Sequence, residues 1–153
     1  MSQAGRGASY IATIVAQEVQ RFTGAQQMPE PPVRLVKTIG DAAMLVSPDA
    51  EAMTAAALRL VEASEQEGEE FPSLRAGIAR GLALAQTGDY YGRPVNLASR
   101  ITGIAKPGSV LVDRDAKNAA PDAFDYSFAG ERRLKGFESR TKLYRVRHSN
   151  SPA

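Results

Sequence analysis

The sequence contains no cysteine, no tryptophan and a single histidine, His148, among its 153 residues. Without cysteine the chain can form neither a disulfide nor a thiolate metal site. A histidine-based catalytic triad or zinc site would depend on His148 alone, in the polar C-terminal segment, so we discount both. No apolar run approaches the roughly 20 residues that a membrane-spanning helix needs. The N-terminus also lacks the apolar core of a secretory signal. These absences favour a cytoplasmic protein without membrane insertion.

The composition that remains is that of a globular protein. Hydrophobic residues make up 43% and charged residues 24% of the chain, and its length suits one domain with a real core. We expect a single domain over residues 1–148 and a disordered polar tail over residues 149–153. The net charge is only +2, but basic residues crowd into residues 132–147. This segment is either a solvated edge or a phosphate-binding surface.

The pattern of apolar residues predicts an alternation of helices and strands. Helical spacing indicates a first helix over residues 8–22 and a second over residues 49–66. Between them, two strand-like runs flank the pair Gly40-Asp41, a strong hairpin signal. Residues 74–86 are typical of a strand interrupted by a glycine kink, and two strands close the chain. A hairpin among helices on a mostly antiparallel sheet predicts an α+β layer fold.

Residues 88–100 stand out as a glycine-bounded turn that leads into a short helix. Pro94 falls in the first turn of this helix, where a missing backbone N–H costs nothing. Asn96 and Arg100 are four residues apart, so they share one helical face, and Asp89 lies in the turn before them. A hydrogen-bond acceptor, an amide and a permanent cation therefore point towards one region.

Five segments, taken in order, resemble one known family. They are Lys37-Thr-Ile-Gly-Asp41; Arg75-Ala-Gly-Ile78; Gly88-Asp-Tyr-Tyr-Gly92 with Val95-Asn-Leu-Ala-Ser-Arg100; Pro107-Gly-Ser-Val-Leu-Val112; and Leu134-Lys-Gly136 with Leu143-Tyr-Arg-Val146. In order and spacing this set resembles the class III nucleotide cyclase catalytic domain, most closely the adenylyl cyclases of actinobacteria. The resemblance covers about residues 8–147. It implies a ferredoxin-like α+β domain with a mostly antiparallel sheet and helices.

The resemblance also implies an activity for intracellular signalling. The expected reaction converts ATP to 3′,5′-cyclic AMP and pyrophosphate by attack of the ribose 3′ oxygen on the α-phosphate. Asp41 matches a carboxylate that holds divalent metals, and Mg²⁺ or Mn²⁺ would prefer such oxygen ligands. Lys37 and Asp89 match the purine-selecting pair, in which lysine donates to adenine N1 and the carboxylate accepts from the exocyclic amine. Guanine presents the opposite pattern, so the pair favours ATP.

Three further residues match roles in the same reaction. Asn96 matches the residue that orients the ribose, and Arg100 matches the residue that stabilises charge on the transition-state phosphorane. Lys135 matches the lysine that contacts the terminal phosphates. In this family the metal carboxylates come from one subunit and the purine pair, asparagine and arginine from the other. The resemblance therefore implies a homodimer with active sites shared across a two-fold interface.

The sequence departs from the family at its N-terminus. The family uses two metal-binding aspartates, and the first lies at the end of an opening strand just before the first helix. Here the first aspartate of any kind is Asp41, and only Glu18 and Glu30 precede it as carboxylates. We therefore expect an N-terminally truncated domain that lacks the opening strand and its carboxylate. The loss should leave a gap or exposed edge in the sheet, and so favour strand exchange or altered dimerisation.

Three functions remain open at this stage. The first is an adenylyl cyclase that is weak or inactive because one metal ligand is missing. The second is a non-catalytic cyclase-homology module that binds nucleotide, or that pairs with a complete subunit to supply half of a site. The third, suggested by a pI of about 9.0, is a basic nucleic-acid binder. The sequence lacks the aromatic stacking positions that an RNA-reading sheet needs, so we expect no nucleic-acid partner.

Overall fold

The computed structural model describes residues 7–17, 31–39, 42–66 and 73–149. These residues form one sheet and three helices. The strands are β1 (Gly7–Gln17), β2 (Arg34–Ile39), β3 (Ala42–Ser47), β4 (Arg75–Gln86), β5 (Asp89–Tyr91), β6 (Val110–Asp113), β7 (Phe124–Arg133) and β8 (Arg140–His148). The helices are α1 (Ala50–Glu65), α2 (Arg93–Ile104) and α3 (Arg114–Ala119).

The sheet has the strand order β2-β3-β1-β4-β6-β8-β7, and β5 pairs with the end of β4. Strands β4 and β6 run parallel, and every other pair is antiparallel. In the first four strands, β1 lies between β3 and β4, and β2 lies at the edge. This is the strand order of a ferredoxin-like fold. The prediction of an α+β domain with a mostly antiparallel sheet is confirmed.

The prediction of a helix over residues 8–22 is wrong for residues 8–17, the part of this range that the structure describes. Gly7–Gln17 is a β-strand, and residues 18–22 lie outside the described ranges. The spacing of Ile11, Ile14 and Val15 fits a helical period, but β-branched residues also favour strands. A short apolar run of this kind is ambiguous by periodicity alone. Here strand pairing on both sides decides the conformation, with Ile14 opposite Leu45 of β3 and Ile78 of β4.

The predicted loss of the opening strand is also wrong. Strand β1 occupies the centre of the sheet and pairs along its length with β4 and over residues 12–17 with β3. The expected gap is therefore not found in the described sheet, and the expectation of strand exchange loses its basis. The carboxylate is a separate matter, because residues 7–17 contain neither aspartate nor glutamate. The strand is present, but it carries no acidic metal ligand.

The core lies on both faces of the sheet because successive residues of its central strands are apolar and point alternately to opposite faces. On one face, Ile78 of β4 packs with Val110 and Val112 of β6 beneath α1 and α3. On the other face, Ala79 and Leu111 pack against α2. This alternation follows directly from the two-residue repeat of a strand. It places α2, with its polar outer face, on the side of the sheet opposite α1 and α3.

Several local predictions are confirmed. The β2–β3 hairpin flanks residues 40–41, and the Asp49 side chain caps α1 by accepting from the Ala52 backbone N–H at 3.1 Å. Two predictions need correction. Strand β4 continues without interruption through its glycines. The predicted tail begins with an ordered residue, because the Ser149 hydroxyl donates to the Ala123 carbonyl at 3.2 Å.

Asp113 is a buried carboxylate at the end of β6, and it caps α3. Its Oδ1 accepts from the Ala116 backbone N–H at 2.8 Å, and the residue is only 4% exposed. Burial raises the pKa of Asp113 from 3.8 to about 6, and the charge of Asp115 adds to the rise. The folded protein therefore holds this proton more tightly than the unfolded chain does. The stability from this group is complete below pH 4 and is lost as the pH rises through 6.

We expect Asp113→Asn to remove this pH dependence. Asparagine is an equally good helix cap, and it carries no charge to bury. The free energy of unfolding should rise by about 2 kcal/mol at pH 8 and stay unchanged at pH 4. Urea denaturation of both proteins across this pH range measures the difference. A loss of stability at pH 8 would contradict the raised pKa of Asp113, because the removed carboxylate would then be stabilising as an ion.

Candidate active site

The β4–β5 hairpin and the start of α2 form the framework of the candidate site. Thr87 and Gly88 both have positive φ, 49° and 79°, which is the pattern of a two-residue type I′ turn. Gly92 has φ 134° and precedes α2, and a proline stands in the first turn of the helix. The predicted glycine-bounded turn and helix are therefore confirmed. Asp89 directly follows the turn as the first residue of β5, and the helix carries Asn96 and Arg100.

Lys37 and Asp89 form an ion pair across the sheet. The Lys37 Nζ lies 2.7 Å from Asp89 Oδ2, and the side chains are 41% and 22% exposed. The two residues are 52 positions apart in the sequence. The structure thus brings together the two residues that sequence reasoning assigned to purine selection.

The environment of Asp89 keeps its carboxylate ionised. The hydrogen bond from Lys37 lowers the pKa of Asp89, and a second bond from the Tyr90 backbone N–H to Oδ1, at 2.7 Å, lowers the pKa further. Asp89 is therefore a pure acceptor at neutral pH, and the neighbouring ammonium group is a pure donor. Such an edge complements a ligand that presents an acceptor beside a donor.

Asn96, Arg100 and Lys135 line one open cavity of about 670 Å³. The first two lie on successive turns of α2, and Lys135 lies in the β7–β8 turn, beside Gly136 with its positive φ of 90°. All three side chains are exposed. The volume falls within the range of small-molecule sites. Lys37 and Asp89 are not among the residues that line this cavity.

The cavity also contains residues that sequence reasoning did not identify. Its remaining lining residues are Arg93, Ser99, Gly136, Phe137, Glu138 and Ser139. The Arg93 guanidinium carbon lies 5.3 Å from the centre of the Phe137 ring, a cation–π contact. Arg93 could have been found from its spacing, because Arg93, Asn96 and Arg100 follow the i, i+3, i+7 pattern of one helical face. With three cationic side chains and one carboxylate, the cavity has a net positive charge, which suits phosphate groups.

The described residues do not fit a two-metal centre. Asp41, the predicted metal ligand, lies outside the described residues, as does its neighbour Gly40. Within the described ranges, no group of three or more His, Cys, Asp or Glu side chains could hold a metal ion. Strand β1 adds no carboxylate. We therefore derive no reaction step through a metal ion.

Comparison with known sequences identifies the class of protein that this fold and site define. The sequence model of the adenylate and guanylate cyclase catalytic domain matches residues 7–148. The chain therefore belongs to the adenylate and guanylate cyclase catalytic domain family. It is 46% identical over 144 residues to a pH-sensitive adenylate cyclase of Mycobacterium tuberculosis, covering 88% of this chain and 36% of that protein. It is 49% identical over 79 residues to an adenylate cyclase of Streptomyces griseus, covering 52% of this chain and 20% of that protein.

Solved structures support the same fold. An adenylate/guanylate cyclase/hydrolase from Silicibacter pomeroyi superimposes with a TM-score of 0.79 at 20% identity, covering 95% of this chain and 99% of that one. An adenylyl cyclase from P. aeruginosa gives a TM-score of 0.73 at 18% identity, covering 97% and 98%. The chain spans about a third of the length of two of the curated relatives that it matches. Among the described helices, none is long and apolar enough to cross a membrane.

Proposed function

We propose that this chain is an adenylyl cyclase domain that binds ATP and, in a completed site, forms 3′,5′-cyclic AMP and pyrophosphate. In this reaction the ribose 3′ oxygen attacks the α-phosphate, the 3′ hydroxyl loses its proton, and pyrophosphate leaves. The ion pair between Lys37 and Asp89 is the observation that carries the proposal. Its adjacent donor and acceptor, 2.7 Å apart, complement adenine N1 and the exocyclic amine.

The cavity on α2 supplies the groups that act on the sugar and phosphates. We assign Asn96 to orient the ribose and Lys135 to bind the terminal phosphates. Arg100 would stabilise the negative charge that grows on the α-phosphate, because a fixed cation acts most strongly where charge develops. Arg93 lies one turn before Asn96 on the same helix and adds positive charge to the cavity. These assignments agree with the exposed, charged character of the cavity.

We propose that the chain by itself is a weak cyclase or none, and that it functions as a dimer. The family mechanism uses Mg²⁺ or Mn²⁺ on two aspartates, of which this sequence retains only Asp41. With one carboxylate, two-metal binding is impaired. A homodimer would pair the Lys37, Asp89, Asn96 and Arg100 half of each site with the metal half of the partner. The alternative is a nucleotide-binding cyclase-homology module that completes the site of another subunit.

A cyclase assay tests the first part of this proposal. With Mn²⁺ and ATP, we expect the purified chain to form cyclic AMP at a rate near background, because its metal half is incomplete. Asp41→Ala should then have little further effect. Robust production of cyclic AMP that Asp41→Ala abolishes would contradict the impaired metal site, while it would confirm the cyclase activity.

Nucleotide selectivity tests the purine pair without turnover. We expect ATP to displace a fluorescent nucleotide at lower concentration than GTP does. Asp89→Asn should lower the ratio of ATP to GTP affinity about tenfold, because a charged acceptor is replaced by an amide that can also donate to guanine. Asp122→Asn, an exposed carboxylate in the turn before β7, serves as the matched control. An unchanged ratio in Asp89→Asn would remove the pair from base recognition.

A further inference from the structure

Strands β2 and β5 touch each other although they are not neighbours in the sheet. In the strand order, β3, β1 and β4 separate β2 from β5. Tyr90 of β5 and Val36 of β2 nevertheless pack against the same buried cluster, which contains Met44 and Val46 of β3. The β4–β5 hairpin therefore lies over the face of β3. Backbone pairing with β4 holds all three residues of β5, with Asp89 opposite Gln86 and Tyr90 opposite Ala85. Side-chain contacts hold this paired hairpin against β2.

Two side-chain links join the hairpin to β2. One is the Lys37–Asp89 ion pair. The other is a hydrogen bond between Arg34, at the start of β2, and Tyr90 of the hairpin. The Arg34 Nη2 donates to Tyr90 Oη at 2.8 Å. The Arg34 guanidinium carbon also lies 5.5 Å from the centre of the Tyr90 ring. The Tyr90 backbone N–H in turn donates to Asp89 Oδ1 at 2.7 Å. Arg34 thus acts on Asp89 through one intervening residue.

The two links respond differently when a nucleobase arrives. The base needs the same atoms of Lys37 and Asp89 that hold the hairpin in the free protein, so binding weakens that link. The base does not compete for the Arg34–Tyr90 contact. This second link can keep the hairpin in place while Lys37 and Asp89 give up their hydrogen bond to each other and bind the base instead.

We propose that Arg34 is a positioning residue that sets purine selectivity by holding Tyr90, and with it Asp89, against β2. The inference rests on the proposed nucleotide-binding function of the Lys37–Asp89 pair. Arg34 itself contacts no nucleotide in this scheme. Its loss lets the hairpin move away from β2, so the acceptor at Asp89 no longer stands beside the donor at Lys37. Binding of the triphosphate by Arg100 and Lys135 should not change.

Competition binding tests the proposal with ATP, GTP and inorganic tripolyphosphate against a fluorescent nucleotide. We expect Arg34→Ala and Tyr90→Phe each to lower the ratio of ATP to GTP affinity about fivefold, the effect of one lost hydrogen bond. Tripolyphosphate should compete as in the wild type. Arg34→Lys should restore part of the ratio, because lysine also donates to Oη. Arg147→Ala is the matched control, since Arg147 is an exposed strand arginine that donates to the Ser127 hydroxyl at 3.3 Å.

Hydrogen exchange gives a second readout that needs no nucleotide. Amides of residues 86–91 should exchange faster in Arg34→Ala, while those of α1 stay protected. An unchanged ATP-to-GTP ratio in both Arg34→Ala and Tyr90→Phe overturns the proposal. So does an equal loss of ATP, GTP and tripolyphosphate binding, which would show a structural role only. If the wild type shows no preference for ATP, the proposed function fails and this inference fails with it. If Asp89→Asn alters the ratio and the Arg34 variants do not, only the inference fails.

Discussion

Gly77→Ala is expected to destabilise the fold by about 3 kcal/mol, near the upper end of the usual cost of overpacking. Gly77 is the third residue of β4 and lies directly beneath α2. A Cβ atom at this position would stand 2.5 Å from the Thr102 backbone nitrogen and 2.8 Å from the Ala98 carbonyl oxygen. These are backbone atoms of a helix, so neither can rotate away. The helix would have to lift from the sheet, and the buried residues Leu97 and Ile101 would lose their packing.

Gly103→Ala provides the control, because the same chemical change meets open space there. Gly103 lies within α2, and nothing stands within 4 Å of an added Cβ. In an exposed helix, alanine is favoured over glycine by about 0.5–1 kcal/mol. Urea denaturation should therefore show opposite signs for the two variants. A loss below about 1 kcal/mol in Gly77→Ala would mean that α2 can shift outward at little cost.

Arg100→Ala is expected to reduce catalysis about 100-fold to 1,000-fold in a completed active site, the usual cost of removing a group that stabilises transition-state charge. The completed site is obtained by mixing this chain with a full cyclase domain of the same family. That partner carries alanine at its own positions matching Asn96 and Arg100, so it is inactive alone. By the proposed assignment it would supply the metal carboxylates in the mixed dimer, and this chain would supply Lys37, Asp89, Asn96 and Arg100. Cyclic AMP formation by the mixture is the measurement.

Two further variants sharpen this experiment. Arg100→Lys keeps the charge but loses the planar fork that matches phosphate oxygens, so we expect it to recover about a tenth of the lost rate. Arg59→Ala replaces an exposed arginine on α1, on the opposite side of the sheet, and should leave the rate unchanged. Light scattering shows whether the mixed dimer forms. If it forms and makes no cyclic AMP, the assignment of this half-site is wrong. An unchanged rate in Arg100→Ala would also contradict the assignment.

The local elements of this protein could be predicted because local chemistry sets them. The β2–β3 hairpin follows from two strand-like runs around Gly40-Asp41. Helix α1 follows from its apolar period and the cap at Asp49. The turn and helix at residues 88–104 follow from glycines with positive φ and a proline in the first helical turn. Each signal lies within a few residues of the element that it determines.

The conformation of β1 shows where local reasoning fails. Residues 8–17 satisfy a helical period and also contain β-branched residues, so the sequence leaves two choices. Pairing with β3 and β4 selects the strand, and these partners lie 25 to 78 residues further along the chain. The expectation of a missing opening strand failed for the same reason. What the sequence did identify correctly is that no residue of this strand is acidic.

For the candidate site, too, the sequence indicated some features and only the tertiary structure revealed the others. Residue types and spacing, read through the resemblance to the cyclase family, indicated Lys37, Asp89, Asn96, Arg100 and Lys135. The sequence by itself also showed that Asp41 is its first aspartate. Only the tertiary structure places Lys37 against Asp89, joins α2 to the β7–β8 turn around one cavity and reveals the Arg34–Tyr90 link. Contacts between distant segments depend on how the sheet is ordered and how its hairpins fold over it. That order is decided by packing the whole chain at once, so no short stretch of sequence contains it.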